Sequence, residues 1–156
     1  MAFWLPESLT PEYQETLEIV REGAKKHAAF GRFTGRRKTT LTWNEWVIYN
    51  WLRAHGYKDV LHNYTVWDDA PPGYHLSKMP YEFDFYIPTL AIAIEVDPLF
   101  HYKTDNPVTR EVMMRDALKD QWARDHGIYL IRVVAYNKLE DFAAEILEKL
   151  GPLVTH

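Results

Sequence analysis

The chain has 156 residues, a formal net charge of −4, 47% hydrophobic and 15% aromatic content, and no cysteine. That composition fits a packed globule burying roughly two-thirds of its unfolded surface, and it excludes a disordered chain, a disulfide scaffold and a thiolate zinc site. No segment approaches the roughly 20 apolar residues of a membrane span, and the opening MAFWLPESLTPEY lacks a secretory n-region and apolar core, so a cytoplasmic (intracellular) protein with no membrane partner is expected.

Residues 9–30 read as a helix, with Pro11 early after Thr10 and with Leu17, Val20 and Ala24 at helical spacing. Residues 21–38 hold Arg21, Lys25, Lys26, Arg32, Arg36, Arg37 and Lys38 against Glu22, a local balance of +6 that leaves −10 for the rest of the chain. Such asymmetry suits a basic contact arm beside an acidic site, and equally a solvated helix end and loop. A second helix is expected from Thr42, with Glu45 placed for a capping box, to His55, closed by Gly56. It carries Trp43, Trp46, Val47, Ile48, Trp51 and Leu52 almost all round and should be largely buried.

Residues 60–67 read as a strand, followed by a Pro- and Gly-rich loop over 68–80 and a hairpin over 83–97. A second long loop spans 98–108, then a charged amphipathic helix over 109–126, a buried strand over 128–134 and a closing helix over 139–150. Short connections make the first three strands an antiparallel meander, and the helix after them permits a parallel crossover to the fourth. The expected fold class is therefore α/β: a four-stranded mixed sheet, three strands in a meander plus one parallel strand, flanked by helices. Residues 1–41 form an N-terminal helix and basic loop before a core domain over 42–156, the whole being one compact domain without internal repeats.

The hairpin FDFYIPTLAIAIEVD sets three carboxylates, Asp84, Glu95 and Asp97, among apolar residues. Carboxylates on hydrophobic strands are costly to desolvate without a cation or hydrogen-bond donors. Pro88 suits the second position of a type I turn, favouring a four-residue loop and a register pairing Ile87 with Leu90, Asp84 with Ala93, and Glu82 with Glu95. Alternation then puts Glu82, Asp84, Ala91, Ala93, Glu95 and Asp97 on one face, with room above the two alanines, and Phe83, Phe85, Ile87, Leu90, Ile92, Ile94 and Val96 on the other. The two long loops emerge beside Asp84 and Asp97, where a substrate would lie. All-oxygen ligands of this kind suit Mg²⁺ or Mn²⁺. The competing reading is an exposed sheet face with ordinary acidic decoration.

The run from FDFYIP through IEVD and FH to RD-xx-K and GIYLIRV, over roughly residues 42–134, resembles the PD-(D/E)XK nuclease superfamily, with its restriction-endonuclease-like fold. It is most similar to the branch of very-short-patch repair endonucleases. The resemblance implies a divalent-metal-dependent endonuclease hydrolysing DNA phosphodiesters, with Asp84 and Glu95 as metal-binding acids and the carbonyl of Val96 completing the ligands. The superfamily often carries Lys two residues after this Glu, where this chain has Asp97. Three remedies are open: Asp97 binds a second metal, His101 supplies acid–base chemistry, or Lys119 reaches in from the following helix. His101 can equally be a surface residue, and the first expectation for Lys119 is an ordinary intrahelical ion pair with Asp116 or Asp120. The resemblance also implies that Glu45 approaches the metal; a cap on Thr42 is the alternative.

The partner implied is nucleic acid, DNA foremost, with Arg32, Arg36, Arg37 and Lys38 on its backbone. Many relatives cut both strands as homodimers. A rival reading is a non-catalytic nucleic-acid-binding protein on a degenerate nuclease fold, supported by the missing lysine. A third is a structural protein whose acidic face docks a basic partner.

Overall fold

The computed structural model describes residues 10–30, 41–66, 81–98 and 107–154. They form helices α1 (Pro11–Phe30), α2 (Trp43–Ala54), α3 (Pro107–Asp125) and α4 (Leu139–Leu150), and strands β1 (Leu61–Val66), β2 (Tyr81–Ile87), β3 (Ile92–Pro98) and β4 (Tyr129–Ala135). A 3₁₀ turn, Gly151–Val154, ends the described chain. The strands make one open mixed sheet in the order β1-β2-β3-β4, a meander followed by a parallel neighbour. The basic loop with Arg32, Arg36, Arg37 and Lys38, most of both long loops, and His101 lie outside the described residues. The chain gathers into two compact units, residues 1–58 with 133–156, and residues 59–132.

In the first unit α1 packs on α2 and α4 through Tyr13, Leu17 and Val20, Val47, Ile48, Trp51 and Leu52, and Phe142, Ile146 and Leu150, all buried. The buried Trp51 indole donates to the buried Thr16 hydroxyl at 2.9 Å, which satisfies both polar groups inside the core. Gly23 explains how closely α1 and α2 approach. A Cβ built there would stand 2.4 Å from Val47 Cγ2, so a residue that weakens a helix interior is kept for clearance. Trp43 and Trp46 are only partly buried, so α2 buries one face rather than its whole circumference.

In the second unit β2 and β3 pair as Phe85↔Ile94, Tyr86↔Ala93 and Ile87↔Ile92, two residues away from the expected register. The turn is the reason. Leu90 N–H donates to the Ile87 carbonyl at 3.2 Å, the type I turn expected of Pro88, but Ala91 then takes a left-handed conformation, φ 52°. The loop is therefore Pro88–Ala91, and Ile92 opens the returning strand. An even shift leaves the alternation of faces along β2 and β3 unchanged in principle. Carried along the strands, the register sets Asp84 against Glu95 and Glu82 against Asp97. The Asp59 carboxylate accepts from the Thr89 hydroxyl at 2.7 Å and amide at 3.3 Å, tying the turn to the segment before β1. The Thr89 hydroxyl, foremost, holds the Asp59 pKa below its ordinary value.

The room expected above the alanines is filled. Ala93 is fully buried in a cluster with Phe83, Trp122 and Ala123, and Tyr86, Leu118, Ile128 and Leu130 pack against it. A methyl group at this position lets α3 lie close on the strand. Phe83, which alternation assigns to the opposite face, joins the cluster with its ring 5.9 Å from Trp122. Beside it the pleat is locally broken: Asn63, between the His62↔Phe85 and Tyr64↔Phe83 pairs, has φ 52°.

One short string recurs, too brief to count as an internal repeat. WLRAHG (Trp51–Gly56) and WARDHG (Trp122–Gly127) end α2 and α3 in the same way. In each, the His ring lies 4.0 Å from the Trp ring, and its Nδ1 donates to the Trp carbonyl, at 2.7 Å for His55 and 2.8 Å for His126. The glycine that follows has positive φ, 96° and 70° respectively, as a C′ residue requires.

Gly23→Ala should lower stability by about 1–3 kcal/mol in urea unfolding despite alanine's better helix propensity, because the methyl overpacks the α1–α2 contact. Ala91→Gly should raise the melting temperature by a few degrees, since the strain of a left-handed alanine, about 1–2 kcal/mol, exceeds the added backbone entropy of glycine.

Candidate active site

β2 and β3 deliver the acids. Asp84 and Glu95 are tied across the strands: Val96 N–H donates to Asp84 Oδ2 at 2.7 Å, and Asp84 N–H donates to Glu95 Oε2 at 3.4 Å. Each carboxylate thus accepts from a backbone amide of the other strand, which helps to fix its orientation. Glu95 and Asp97 are each 5% exposed, unusual burial for ionised groups.

The compensating charges come from α3 and β4. Lys119 Nζ reaches Glu95 Oε1 at 2.5 Å and stands 5.9 Å over the Phe83 ring. Of the partners open to Lys119 in the sequence, the structure records Glu95 rather than Asp116 or Asp120. Those two aspartates belong instead to Arg132. Its guanidinium meets Asp97 Oδ2 at 3.4 Å, Asp116 Oδ1 at 3.4 Å and Asp120 Oδ1 at 2.9 Å, and also donates to the Asp116 carbonyl at 3.1 Å. Burial by itself would lower the Arg132 pKa, but attraction to Asp116 and Asp97 and the hydrogen bond to Asp120 outweigh it and raise the pKa above the ordinary guanidinium value. The guanidinium remains charged at every relevant pH.

Among the described residues, Asp84, Glu95, Asp97, Asp116 and Asp120 gather beside the cations Lys119 and Arg132. Among the described residues no group of three or more carboxylates and histidines is already arranged to hold a metal. The donor set nevertheless fits one hard ion held by two carboxylates with water, since Asp84 and Glu95 face each other and offer only oxygen. Asp97 faces Arg132, and Val96 meets Asp84 through its amide.

Glu45 belongs to the other unit and closes the capping box: its Oε1 accepts from Thr42 N–H at 3.0 Å, while its own N–H donates to Thr42 Oγ1 at 3.2 Å. Arg132 was not among the residues singled out by sequence. Its signal was present, because a charged residue between Ile131 and Val133 in an apolar strand needs partners for the same reason the hairpin acids do. Glu145 gives a parallel case: 7% exposed on α4, it accepts from Val134 N–H at 2.8 Å. No family model, curated protein or solved structure matches the chain.

Arg132→Leu should cost about 3–5 kcal/mol in urea unfolding, because it leaves a buried carboxylate without its cation. Arg132→Lys should recover only part of the loss, since a point-charge ammonium cannot serve three carboxylates as a planar fork does.

Proposed function

We propose that the chain is a divalent-metal-dependent endonuclease hydrolysing DNA phosphodiester bonds. The observation that carries this reading is the grouping of Asp84, Glu95 and Lys119: two hard-oxygen ligands joined across adjacent strands, with an ammonium brought to one of them from α3. The restriction-endonuclease-like pattern wants a cation two residues after the Glu. Here that position is Asp97, and Lys119 provides a cation beside Glu95 by another route.

Asp84 and Glu95 would hold Mg²⁺ or Mn²⁺. Such an ion supplies a water of lowered pKa and positive charge for the non-bridging phosphate oxygens. Lys119, whose side chain is 21% exposed, would donate to a phosphate oxygen and stabilise the charge that develops during attack. Arg132 meets Asp97, Asp116 and Asp120, so their negative charge is partly neutralised before an anionic substrate approaches. Arg32, Arg36, Arg37 and Lys38, with the exposed Arg21, Lys25 and Lys26 of α1, would contact the phosphate backbone in a salt-sensitive way.

The test is a cleavage assay over duplex, mismatched, branched and single-stranded DNA and RNA in Mg²⁺, Mn²⁺ and EDTA. Asp84→Asn and Glu95→Gln should each reduce metal-dependent cleavage on the order of 10³-fold while Asp84→Asn keeps the wild-type circular dichroism spectrum. Binding of DNA without cleavage under every condition would establish the non-catalytic alternative.

A further inference from the structure

We propose that Lys119 is the resident counter-cation of Glu95 in the metal-free protein, and that a divalent cation binding at Asp84 and Glu95 displaces its ammonium and so releases it toward the substrate. This inference rests on the metal-site reading above.

Both Glu95 oxygens are engaged: Oε1 with Lys119 Nζ at 2.5 Å and Oε2 with Asp84 N–H at 3.4 Å. A cation arriving at Glu95 must therefore replace or crowd one of them. The amide belongs to a paired strand and cannot withdraw without breaking the sheet. The ammonium ends a flexible four-carbon stem and is the more exposed member of its pair, 21% against 7% for the Glu95 side chain. Two cations sharing one carboxylate in a poorly hydrated place repel strongly, so the movable one leaves. Its neighbours on α3 offer little competing attraction, because Asp116 and Asp120 are already engaged by Arg132. Without Lys119, Glu95 would be a buried carboxylate lacking a cation, and metal would be the remaining means of compensating it.

Calorimetric titration of the full chain with MnCl₂ tests this, using wild type, Lys119→Met and Arg124→Met. Arg124 is an exposed cation on the same helix that hydrogen-bonds Gln121, so its removal controls for general charge. Lys119→Met should bind Mn²⁺ about tenfold tighter than wild type or better, and Arg124→Met within about twofold of it. In EDTA, Lys119→Met should melt below wild type, with saturating Mn²⁺ closing the gap. Lys119→Gln, which keeps a donor for Glu95 without the charge, should shift affinity in the same direction and serves if the methionine variant does not fold. Equal or weaker binding by the Lys119 variants, or equal tightening in Arg124→Met, overturns the displacement and leaves the metal site standing. Absence of Mn²⁺ binding by wild type and Lys119 variants alike overturns both.

Discussion

Two carboxylates held out of water on one strand set the terms for the second unit. Glu95 and Asp97 are nearly buried, and an ionised oxygen in that position is tolerable only with a cation and well-placed donors. Each has its own: Lys119 from α3 for Glu95, and Arg132 from β4 for Asp97. The docking of α3 on β3 is thus held by apolar packing under Trp122 and Ala123 and by ion pairs beside it. The same contacts that complete the core also assemble the candidate site.

The sequence made the acidic face legible because alternation along a strand is insensitive to register as long as any slip is even. It did not make the pairing legible. Pro88 indicates a type I turn, but nothing in a proline-threonine-leucine-alanine loop announces that alanine will adopt the left-handed conformation glycine usually fills. That one backbone angle moves closure to Ile87↔Ile92 and changes Asp84 and Glu95 from diagonal neighbours to facing ones. The cations were harder to read. Lys119 has Asp116 and Asp120 on its own helix and the hairpin site beyond it, and only tertiary packing selects among them. Arg132 is hidden in a strand that reads as apolar filling. The two His-capped helix ends were visible as a repeated six-residue string, yet too short to register as a repeat.

A cation brought from a helix has a different character from one fixed two residues along a strand. Strand geometry would hold a lysine at a set distance from the hairpin carboxylates. A helix lysine reaches the carboxylate through a long stem, and its position depends on where the whole helix rests. Arg132 behaves in the opposite manner: a planar fork with three carboxylate partners has little freedom, and it anchors the Asp116 and Asp120 side of α3 to β4. One of the two cations meets three carboxylates, and the other meets Glu95 at the end of a long stem.

Ala93 acquires an importance its small side chain conceals. It carries neither charge nor hydrogen-bonding group, yet it packs in the cluster beneath the helix that carries Lys119. Enlarging it to valine or leucine would press on Trp122 and Ala123 and so disturb the helix that carries Lys119. Part of the site's specification is therefore written as volume, in a residue with no chemistry of its own.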